Sequence, residues 1–538
     1  MKGLMMDDYP LTLAALLPRA ERLFPRVTIS SRAPDRSVRH TDYVTVVRRA
    51  RTLAGAILDE GLRPGDRVAT LMWNHSTHLE AYLGVPAAGA VVHTLNLRLP
   101  ADQLAYVINH ARDRWILVDD VLLPLFEKVR DRVRPDRVLV VPFSGAKVPA
   151  GLEDYEELLA RHSPRTTLPA VAEGDAAGLC YTSGTTGHLK GVLYSHRALV
   201  LHSLVEAVAI GLGQSDAVMP VVPMFHANAW GLPYTLTMLG ARQVLPGPHL
   251  DPESLIDLME REQATFAAGV PSIWVGMLET LERNPGRWKL SPRLRMLIGG
   301  SAVPETMIRR FDALGIRVVQ GYGMTESSPV VTLSNPKAEM LDWDPERLYP
   351  LRARQGLPLP LVDVRIRNQQ EELPWDGKSA GELELRGPWI AASYFDDPES
   401  KGKWSDDGWL RTGDVATIDS EGYVEIVDRV KDLVKSGGEW ISSVALENTL
   451  VGHPAVREAA VIARPDPKWG ERPVAFVVFK DGARATDDEL RSFLAERYPK
   501  WWLPDEFLSV PSLPKTSTGK VSKLTLREGL GKPSSPPA

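Results

Sequence analysis

Apolar runs of strand length alternate with segments of helical length through most of the chain. Residues 66–72 (DRVATLM) and 89–94 predict buried strands, and residues 76–88 between them predict a helix. A further helix is predicted over 121–133. Strands separated by helical crossovers build parallel sheets that helices cover on both faces. The pattern therefore predicts an α/β fold with doubly wound, mostly parallel sheets.

The pattern changes near residue 429, and 538 residues are too many for one hydrophobic core. Residues 1–428 are predicted to form a large N-terminal domain, with a small β-rich part beside the parallel sheets. Downstream, short strands predicted over 459–462 and 474–479 alternate with helices. Residues 429–538 therefore predict a smaller α+β domain.

Composition narrows the classes of function. The formal net charge is −5 and the pI is about 6.2, whereas a protein that binds nucleic acid is more often basic. Cys180 is the only cysteine, so no internal disulfide can form and a reducing compartment is expected. No apolar run approaches the roughly 20 residues that a membrane-spanning helix needs. These features predict a cytoplasmic protein without a membrane span.

A loop rich in glycine and hydroxyl groups follows an apolar run in residues 181–191 (YTSGTTGHLKG). Its glycines allow close backbone approach to a ligand, and its hydroxyls and lysine suit phosphate oxygens. A mobile surface turn is the alternative. A P-loop kinase is excluded, because Gly184 and Gly187 are too close and His188 follows. The candidate phosphate-binding residues are Thr182, Ser183, Gly184, Thr185, Thr186, Gly187 and Lys190.

This loop resembles the phosphate loop of the adenylate-forming enzymes, which include acyl- and aryl-CoA synthetases, firefly luciferase and peptide-synthetase adenylation domains. One residue departs from the family pattern, since Leu189 stands where a proline is usual. Four further motifs follow in the family's order: residues 320–326 (QGYGMTE), 409–414 (WLRTGD), 428–435 (DRVKDLVK) and 514–520 (PKTSTGK). The chain is identified as a member of this superfamily, in its acyl-CoA synthetase branch.

The resemblance implies catalytic roles for several side chains. Lys520 would reach the substrate carboxylate and the α-phosphate of ATP, Thr325 would contact that phosphate, and Glu326 would bind Mg²⁺. Asp414 and Arg429 would hold the ribose hydroxyls. The other nucleotide-binding positions that it implies are Gly300, Ser301, Gly321, Tyr322 (packed on adenine) and Gly323.

The resemblance also implies a hinge, a thiol-binding segment and an acyl pocket. Rotation of the small domain about Lys431 would withdraw Lys520 and bring up the coenzyme A segment, which comprises Lys435, Gly437, Gly438, Glu439 and Trp440. The implied acyl pocket comprises Phe225, His226, Trp230, Gly269, Val270, Gly299 and Gly300. His226 is grouped with the catalytic residues because it borders the acyl channel, and it is not expected to act as a base.

The expected reaction joins a carboxylic acid to ATP, releases pyrophosphate, and then passes the acyl group to coenzyme A with release of AMP. A medium- or long-chain fatty acid is favoured, since the pocket segments are largely apolar. A short or sulfur-containing propionate and an aryl acid are alternatives, as are a carrier-protein thiol as acceptor, luciferase-like oxidation and a nucleotide-binding protein without catalysis. A homodimer is allowed.

Overall fold

The structure is a computed structural model that describes residues 6, 8–182, 189–368, 370–437, 439–515 and 521–530. Predicted strands and helices alternate in it as the apolar pattern indicates. The strands of the large part of the chain are β1 (Thr28–Arg32), β2 (Val38–Asp42), β3 (Arg67–Leu71), β4 (Val91–Thr94), β5 (Asp113–Asp119), β6 (Arg137–Val141), β7 (Glu153–Asp154), β8 (Ala176–Tyr181), β9 (Gly191–Ser195), β10 (Ala217–Pro220), β11 (Arg242–Leu245), β12 (Phe266–Gly269), β13 (Arg295–Gly299), β14 (Arg317–Gly323), β15 (Val330–Leu333), β16 (Leu357–Pro358), β17 (Asp363–Arg367), β18 (Gly381–Arg386), β19 (Leu410–Ile418) and β20 (Val424–Arg429). Those of the small domain are β21 (Val434–Ser436), β22 (Glu439–Ile441), β23 (Val456–Asp466), β24 (Gly470–Phe479) and β25 (Glu506–Ser509).

The helices run between these strands and cover the sheets. Their bounds are α1 (Leu16–Leu23), α2 (Tyr43–Asp59), α3 (Ser76–Ala87), α4 (Ala101–Ala111), α5 (Leu123–Phe126), α6 (Tyr155–Ala160), α7 (His196–Ile210), α8 (Leu232–Leu239), α9 (Pro252–Arg261), α10 (Pro271–Arg283), α11 (Glu305–Ala313), α12 (Pro345–Arg352), α13 (Ser443–Val451), α14 (Asp487–Ala495) and α15 (Lys523–Leu530). None of the helices within the described ranges is long and apolar enough to cross a lipid bilayer.

Within the described residues, the strands form four sheets. One has nine strands in the order β16-β15-β14-β13-β12-β10-β11-β1-β2, and a second has seven in the order β7-β6-β5-β3-β4-β8-β9. Their central strands pair in parallel, as β12–β13–β14 and β4–β3–β5–β6 illustrate. Strands β17–β20 form an antiparallel sheet, which is the predicted β-rich part. The predicted α/β fold class is confirmed.

One apolar core joins all three sheets of the large part. It contains Leu83 of α3, Leu199 of α7, Phe266 of β12 and Ile418 of β19, each almost fully buried. A separate core lies between β23, β24 and helices α13 and α14 of the small domain. The large part of the chain and the small domain therefore each pack around apolar cores of their own.

Two predicted elements differ in the structure. The helix predicted over 121–133 is only α5 with a 3-10 turn on either side. Val129 and Val133 lie at φ near −120°, and both are buried, so burial of these β-branched side chains prevails over a continuous helix. Strands β23 and β24 are longer than predicted. Their antiparallel pairing begins where Val456 faces Phe479, continues through polar residues, and ends where Asp466 faces Gly470.

Candidate active site

A cleft opens where the carboxyl ends of β13 and β14 meet the antiparallel sheet β17–β20. The phosphate-loop base, the turn after β14 and the end of β20 all contribute to its walls. The sequence-predicted residues that line it are Thr182, Lys190, His226, Trp230, Gly299, Gly300, Gly321, Tyr322, Gly323, Thr325, Glu326, Asp414, Arg429 and Lys431. Residues far apart in the chain are therefore brought to one cavity.

One end of the cleft is a network around Asp414. Strands β19 and β20 place Asp414 directly opposite Arg429, and the Arg429 Nε lies 3.3 Å from Asp414 Oδ1. From β14, the Tyr322 hydroxyl donates to Asp414 Oδ2 at 2.6 Å. Burial and the neighbouring Asp414 carboxylate raise the pKa of Tyr322, so its hydroxyl stays a donor. One carboxylate oxygen of Asp414 thus faces a cation and the other a neutral donor.

The opposite end of the cleft carries Glu326, which lies in a 3-10 turn, Thr325–Ser327, just after β14. The Tyr394 hydroxyl donates to Glu326 Oε1, and the Tyr194 hydroxyl donates to the Thr325 carbonyl at 2.7 Å. Burial, followed by the Glu326 charge, raises the pKa of Tyr394. Thr325 and Glu326 are therefore each held by a hydrogen bond from a tyrosine hydroxyl.

Glu326 fits a magnesium site of the type completed by a nucleotide. In the part of the chain that the structure describes, no group of three His, Cys, Asp or Glu side chains is placed to hold a metal by itself. Mg²⁺ usually takes one or two protein carboxylates and fills its remaining positions with water and substrate phosphates. A lone carboxylate beside a phosphate loop matches that requirement.

Lys190 lies at the base of the phosphate loop, where the ends of β8 and β9 are joined. The Thr182 amide donates to the Lys190 carbonyl at 2.9 Å, and the Lys190 amide donates to the Thr182 hydroxyl at 3.2 Å. The Lys190 Nζ lies 3.2 Å from Asp397 Oδ2 and 5.0 Å from the centre of the Tyr394 ring. The ammonium group is thus already positioned by neighbouring side chains.

The apolar wall of the cleft is built on unusual backbone. Residues 227–230 all have positive φ, between 43° and 59°, and they carry Trp230 into the cleft. A Cβ on Gly299 would lie 2.8 Å from the Gly321 carbonyl oxygen and 3.2 Å from Trp230 Cη2. Glycine at 299 therefore lets the indole and β14 pack closely together.

Other predicted residues lie elsewhere. Phe225 is buried against Trp73, and a Cβ on Gly269 would meet the Trp274 ring at 2.6 Å. These two residues, with Val270 and Ser301, are not part of the cleft lining. The residues predicted for the site that lie outside the described ranges are Ser183, Gly184, Thr185, Thr186, Gly187, Gly438 and Lys520.

The predicted coenzyme A segment lies outside the cleft lining in this structure. The Lys435 Nζ lies over the ring of Trp440 at 4.7 Å, and Trp440 is half exposed. Gly437 has φ +63° and donates from its amide to the Trp469 carbonyl at 2.8 Å; Glu439 pairs with Ser436. Lys435, Gly437, Glu439 and Trp440 therefore lie on the small domain and are not part of the cleft lining.

The lining also contains residues to which the sequence assigned no individual role, namely Ala227, Leu297, Met324, Pro329, Val330, Tyr394, Lys403, Thr412, Gly413 and Val430. Most of them are neighbours of predicted residues, and proximity to a motif would have found them. Tyr394 and Lys403 come from a segment for which no motif was recognised. A tyrosine followed closely by two aspartates, in residues 394–397, is the signal that the sequence offered there.

Comparison with known proteins agrees with this geometry. The model of the AMP-binding enzyme family matches residues 24–395, and that of the AMP-binding enzyme C-terminal domain matches residues 445–520. The chain belongs to the AMP-binding enzymes, the adenylate-forming superfamily, in its acyl-CoA synthetase branch. The resemblance seen in the motifs is confirmed.

Individual relatives match over nearly the whole chain. A long-chain-fatty-acid–CoA ligase of Thermus thermophilus is 48% identical over 97% of this chain and 96% of its own. A 3-methylmercaptopropionyl-CoA ligase of Ruegeria pomeroyi is 44% identical over 98% of both chains. The solved structure of the anthranilate CoA ligase AuaEII with anthranoyl-AMP covers 98% of this chain and 99% of its own, with a TM-score of 0.87 at 24% identity, and shows the same fold.

Proposed function

We propose that the protein is an AMP-forming acyl-CoA ligase whose cleft holds ATP, with Mg²⁺, beside the carboxyl group of a fatty acid. One observation carries this proposal: Lys190, Glu326 and the Tyr322–Asp414–Arg429 network line one cavity. Their presence in one cavity supports a nucleotide with its ribose at Asp414 and its phosphates near Glu326 and Lys190. Relatives named as acid–CoA ligases match the chain from end to end, which supports the same reaction class.

The first step requires two anions to meet. The acid carboxylate attacks the α-phosphorus of ATP, the acyl-phosphate bond forms, and the bond to pyrophosphate breaks. No side-chain nucleophile is needed, so the protein contributes position and charge. Lys190 and Lys520 would offset the repulsion, and Mg²⁺ at Glu326 would neutralise phosphate charge. In the second step the thiol of coenzyme A displaces AMP from the acyl carbon.

The acid is proposed to be a medium- or long-chain fatty acid. The part of the lining contributed by Trp230, Leu297 and Val330 is apolar and suits an aliphatic chain. A second candidate, a short sulfur-containing propionate, is favoured by the relative of 44% identity that is named for that substrate. The cytoplasmic location, a homodimer and a free coenzyme A acceptor also remain proposals.

The test measures pyrophosphate and AMP release with a panel of acids from short through long chains, a methylthio-propionate and an aryl acid, each with and without coenzyme A. We expect Mg²⁺-dependent pyrophosphate release, steady AMP release only with coenzyme A, and the highest kcat/KM for an aliphatic chain. No pyrophosphate release with any acid would overturn the reaction class. Highest efficiency with the sulfur-containing acid would favour the second candidate instead.

A further inference from the structure

Residues 394–397 run along the base of the phosphate loop, and Tyr394, Phe395 and Asp397 contact it. The Phe395 amide donates to the Gly191 carbonyl at 2.8 Å, and a Cβ on Gly191 would lie 3.2 Å from Phe395 Cβ. Asp396 forms an ion pair with Arg112 on the outer side. On the inner side, Asp397 pairs with Lys190. The segment is therefore anchored from both sides against the loop base.

Tyr394, the first residue of this segment, contacts two groups of the proposed site at once. Its hydroxyl donates to Glu326 Oε1, while its ring faces the Lys190 Nζ at 5.0 Å. Trp404 packs edge-on against the same ring at 5.2 Å between ring centres, and its indole nitrogen donates to the Ala391 carbonyl at 2.7 Å. Tyr394 is buried and has little room to change rotamer.

The geometry at Glu326 leaves one carboxylate oxygen for a ligand. Tyr394 occupies Oε1, and no residue in the described ranges is hydrogen-bonded to Oε2. A donor on one oxygen fixes the plane of the carboxylate, so the other oxygen points in a constant direction. The aromatic ring in turn stabilises a nearby ammonium group through its face. The same side chain thus orients the proposed metal ligand and the phosphate-loop cation.

We propose that Tyr394 is a positioning residue that couples the metal-binding carboxylate of Glu326 to Lys190. Its hydroxyl sets the direction in which Glu326 presents Oε2 to the magnesium ion, and its ring holds Lys190 beside the phosphates. The proposal rests on the proposed function, because Glu326 binds a metal only if the cleft holds a nucleotide. Tyr394 lines the cleft, and its proposed role is exerted through Glu326 and Lys190.

The two contacts of Tyr394 can be separated by substitution. Tyr394→Phe keeps the ring against Lys190 and removes only the hydroxyl, so it should weaken metal binding by about tenfold, as loss of a partner behind a metal ligand commonly does. Tyr394→Leu removes both contacts and should also raise the KM for ATP at saturating Mg²⁺. Tyr423→Phe is the matched control. The buried Tyr423 hydroxyl donates to the Asn335 carbonyl at 3.0 Å, and Tyr423 is not part of the cleft lining.

The direct measurement is Mn²⁺ binding by electron paramagnetic resonance, with a non-hydrolysable α,β-methylene analogue of ATP bound to the full-length protein. We expect half-saturation at about tenfold higher Mn²⁺ in Tyr394→Phe than in the wild type or in Tyr423→Phe. Mg²⁺ titration of pyrophosphate release should show the same shift, and saturating Mg²⁺ should restore most of the rate.

Equal Mn²⁺ affinity in Tyr394→Phe and the wild type would overturn the role of Tyr394. An equal loss in Tyr423→Phe would also overturn it, since the effect would then follow from any lost buried hydroxyl. In both of these outcomes the proposed function still stands, provided that the wild-type protein forms AMP and pyrophosphate. A wild-type protein that never forms AMP and pyrophosphate overturns the proposed function itself.

Discussion

The cleft carboxylates Glu326 and Asp414 and two carboxylates of the small domain lie in different surroundings. Glu326 and Asp414 are mostly buried and each accepts a hydrogen bond from a tyrosine hydroxyl, while the second oxygen of Asp414 faces Arg429. Each also faces the cleft. Carboxylates held in this way are oriented yet keep capacity to bind a ligand.

In the small domain, carboxylates are matched with cations of the same domain. Glu447 lies 2.7 Å from Lys523, and Asp505 lies 2.8 Å from Arg472. Among the described residues, none beyond Lys431 lines the cleft. Under the proposed function, the large domain therefore supplies the nucleotide-binding side and the small domain supplies Lys520. Substitutions of Lys520 and of the hinge residue Lys431 should consequently affect different half-reactions, adenylation and thioester formation respectively.

The largest effect is expected from Lys520→Ala. Removal of a cation that stabilises charge only during adenylation should slow pyrophosphate release by about 10²–10³-fold. Attack of coenzyme A on preformed acyl-adenylate should change little, because that step occurs after pyrophosphate has left. Single-turnover measurement of each half-reaction checks the difference.

Lys515→Ala is the matched control for that variant. Lys515 precedes Lys520 by five residues in the same segment and forms an ion pair with Glu458 inside the small domain. It should leave both half-reactions near wild-type rates. Equal loss of both half-reactions in Lys520→Ala would contradict the contrast between the domains.

Lys431→Pro should affect the other half-reaction. Lys431 lies at the cleft and its carbonyl accepts a hydrogen bond from Arg527 at 3.4 Å. Proline fixes φ near −65°, and a misplaced proline costs about 3 kcal/mol, which corresponds to about 100-fold in the rate of a step that needs rotation there. Adenylation should continue while thioester formation falls. Lys431→Ala, which leaves the backbone free, should retain both; thioester formation unchanged in Lys431→Pro would disprove the hinge.

The sequence predicted much of the large domain because its signals are local. Tyr322 lies near the end of β14, Glu326 in the turn after it and Asp414 in β19 of the antiparallel sheet, and all three motif residues line one cleft. The contact between Tyr394 and Glu326 spans 68 residues, and that between Tyr394 and Lys190 spans 204. Such contacts depend on how separate sheets pack against each other, and the hydrophobic periodicity of the sequence carries no information about that packing.

Local strain was equally hidden from the sequence. The left-handed backbone at 227–230 involves no glycine, and non-glycine residues rarely adopt this conformation. Only the packing of Trp230 against Gly299 shows why the chain accepts it. The fold class thus follows from pattern, whereas the shape of the acyl side follows from tertiary contacts.

A smaller effect, on ribose recognition, is expected from Asp414→Asn. The Asn side chain can still accept the hydrogen bond from the Tyr322 hydroxyl. It lacks the negative charge that faces Arg429 and, in the proposed complex, the ribose hydroxyls. Hydrogen bonds to charged groups contribute about 1.5–3 kcal/mol, so the KM for ATP should rise about 10- to 100-fold. The KM for the acid should change little. Steady-state kinetics with each substrate varied check this, and a larger change in the acid KM would contradict the assignment.

The smallest effect concerns stability rather than catalysis, and it comes from Glu206 of α7, away from the cleft lining. Its Oε2 accepts a hydrogen bond from Thr235 at 2.7 Å, and burial raises its pKa to about 8 from an ordinary value of 4.5. Between these values the unfolded chain has lost a proton that the folded chain keeps. Stability should therefore fall by up to about 1.4 kcal/mol per pH unit as the pH rises through this range.

Glu206→Gln should remove this pH dependence, because the amide keeps a hydrogen-bonding group and cannot ionise. The variant should resemble the wild type in apparent thermal midpoint at pH 5 and exceed it at pH 8. The exposed Glu496→Gln is the control, and it should follow the wild type at both pH values. If Glu206→Gln shows the same decline between pH 5 and 8 as the wild type, the buried Glu206 carboxyl does not bind its proton more tightly in the folded state. The decline would then belong to other titratable groups.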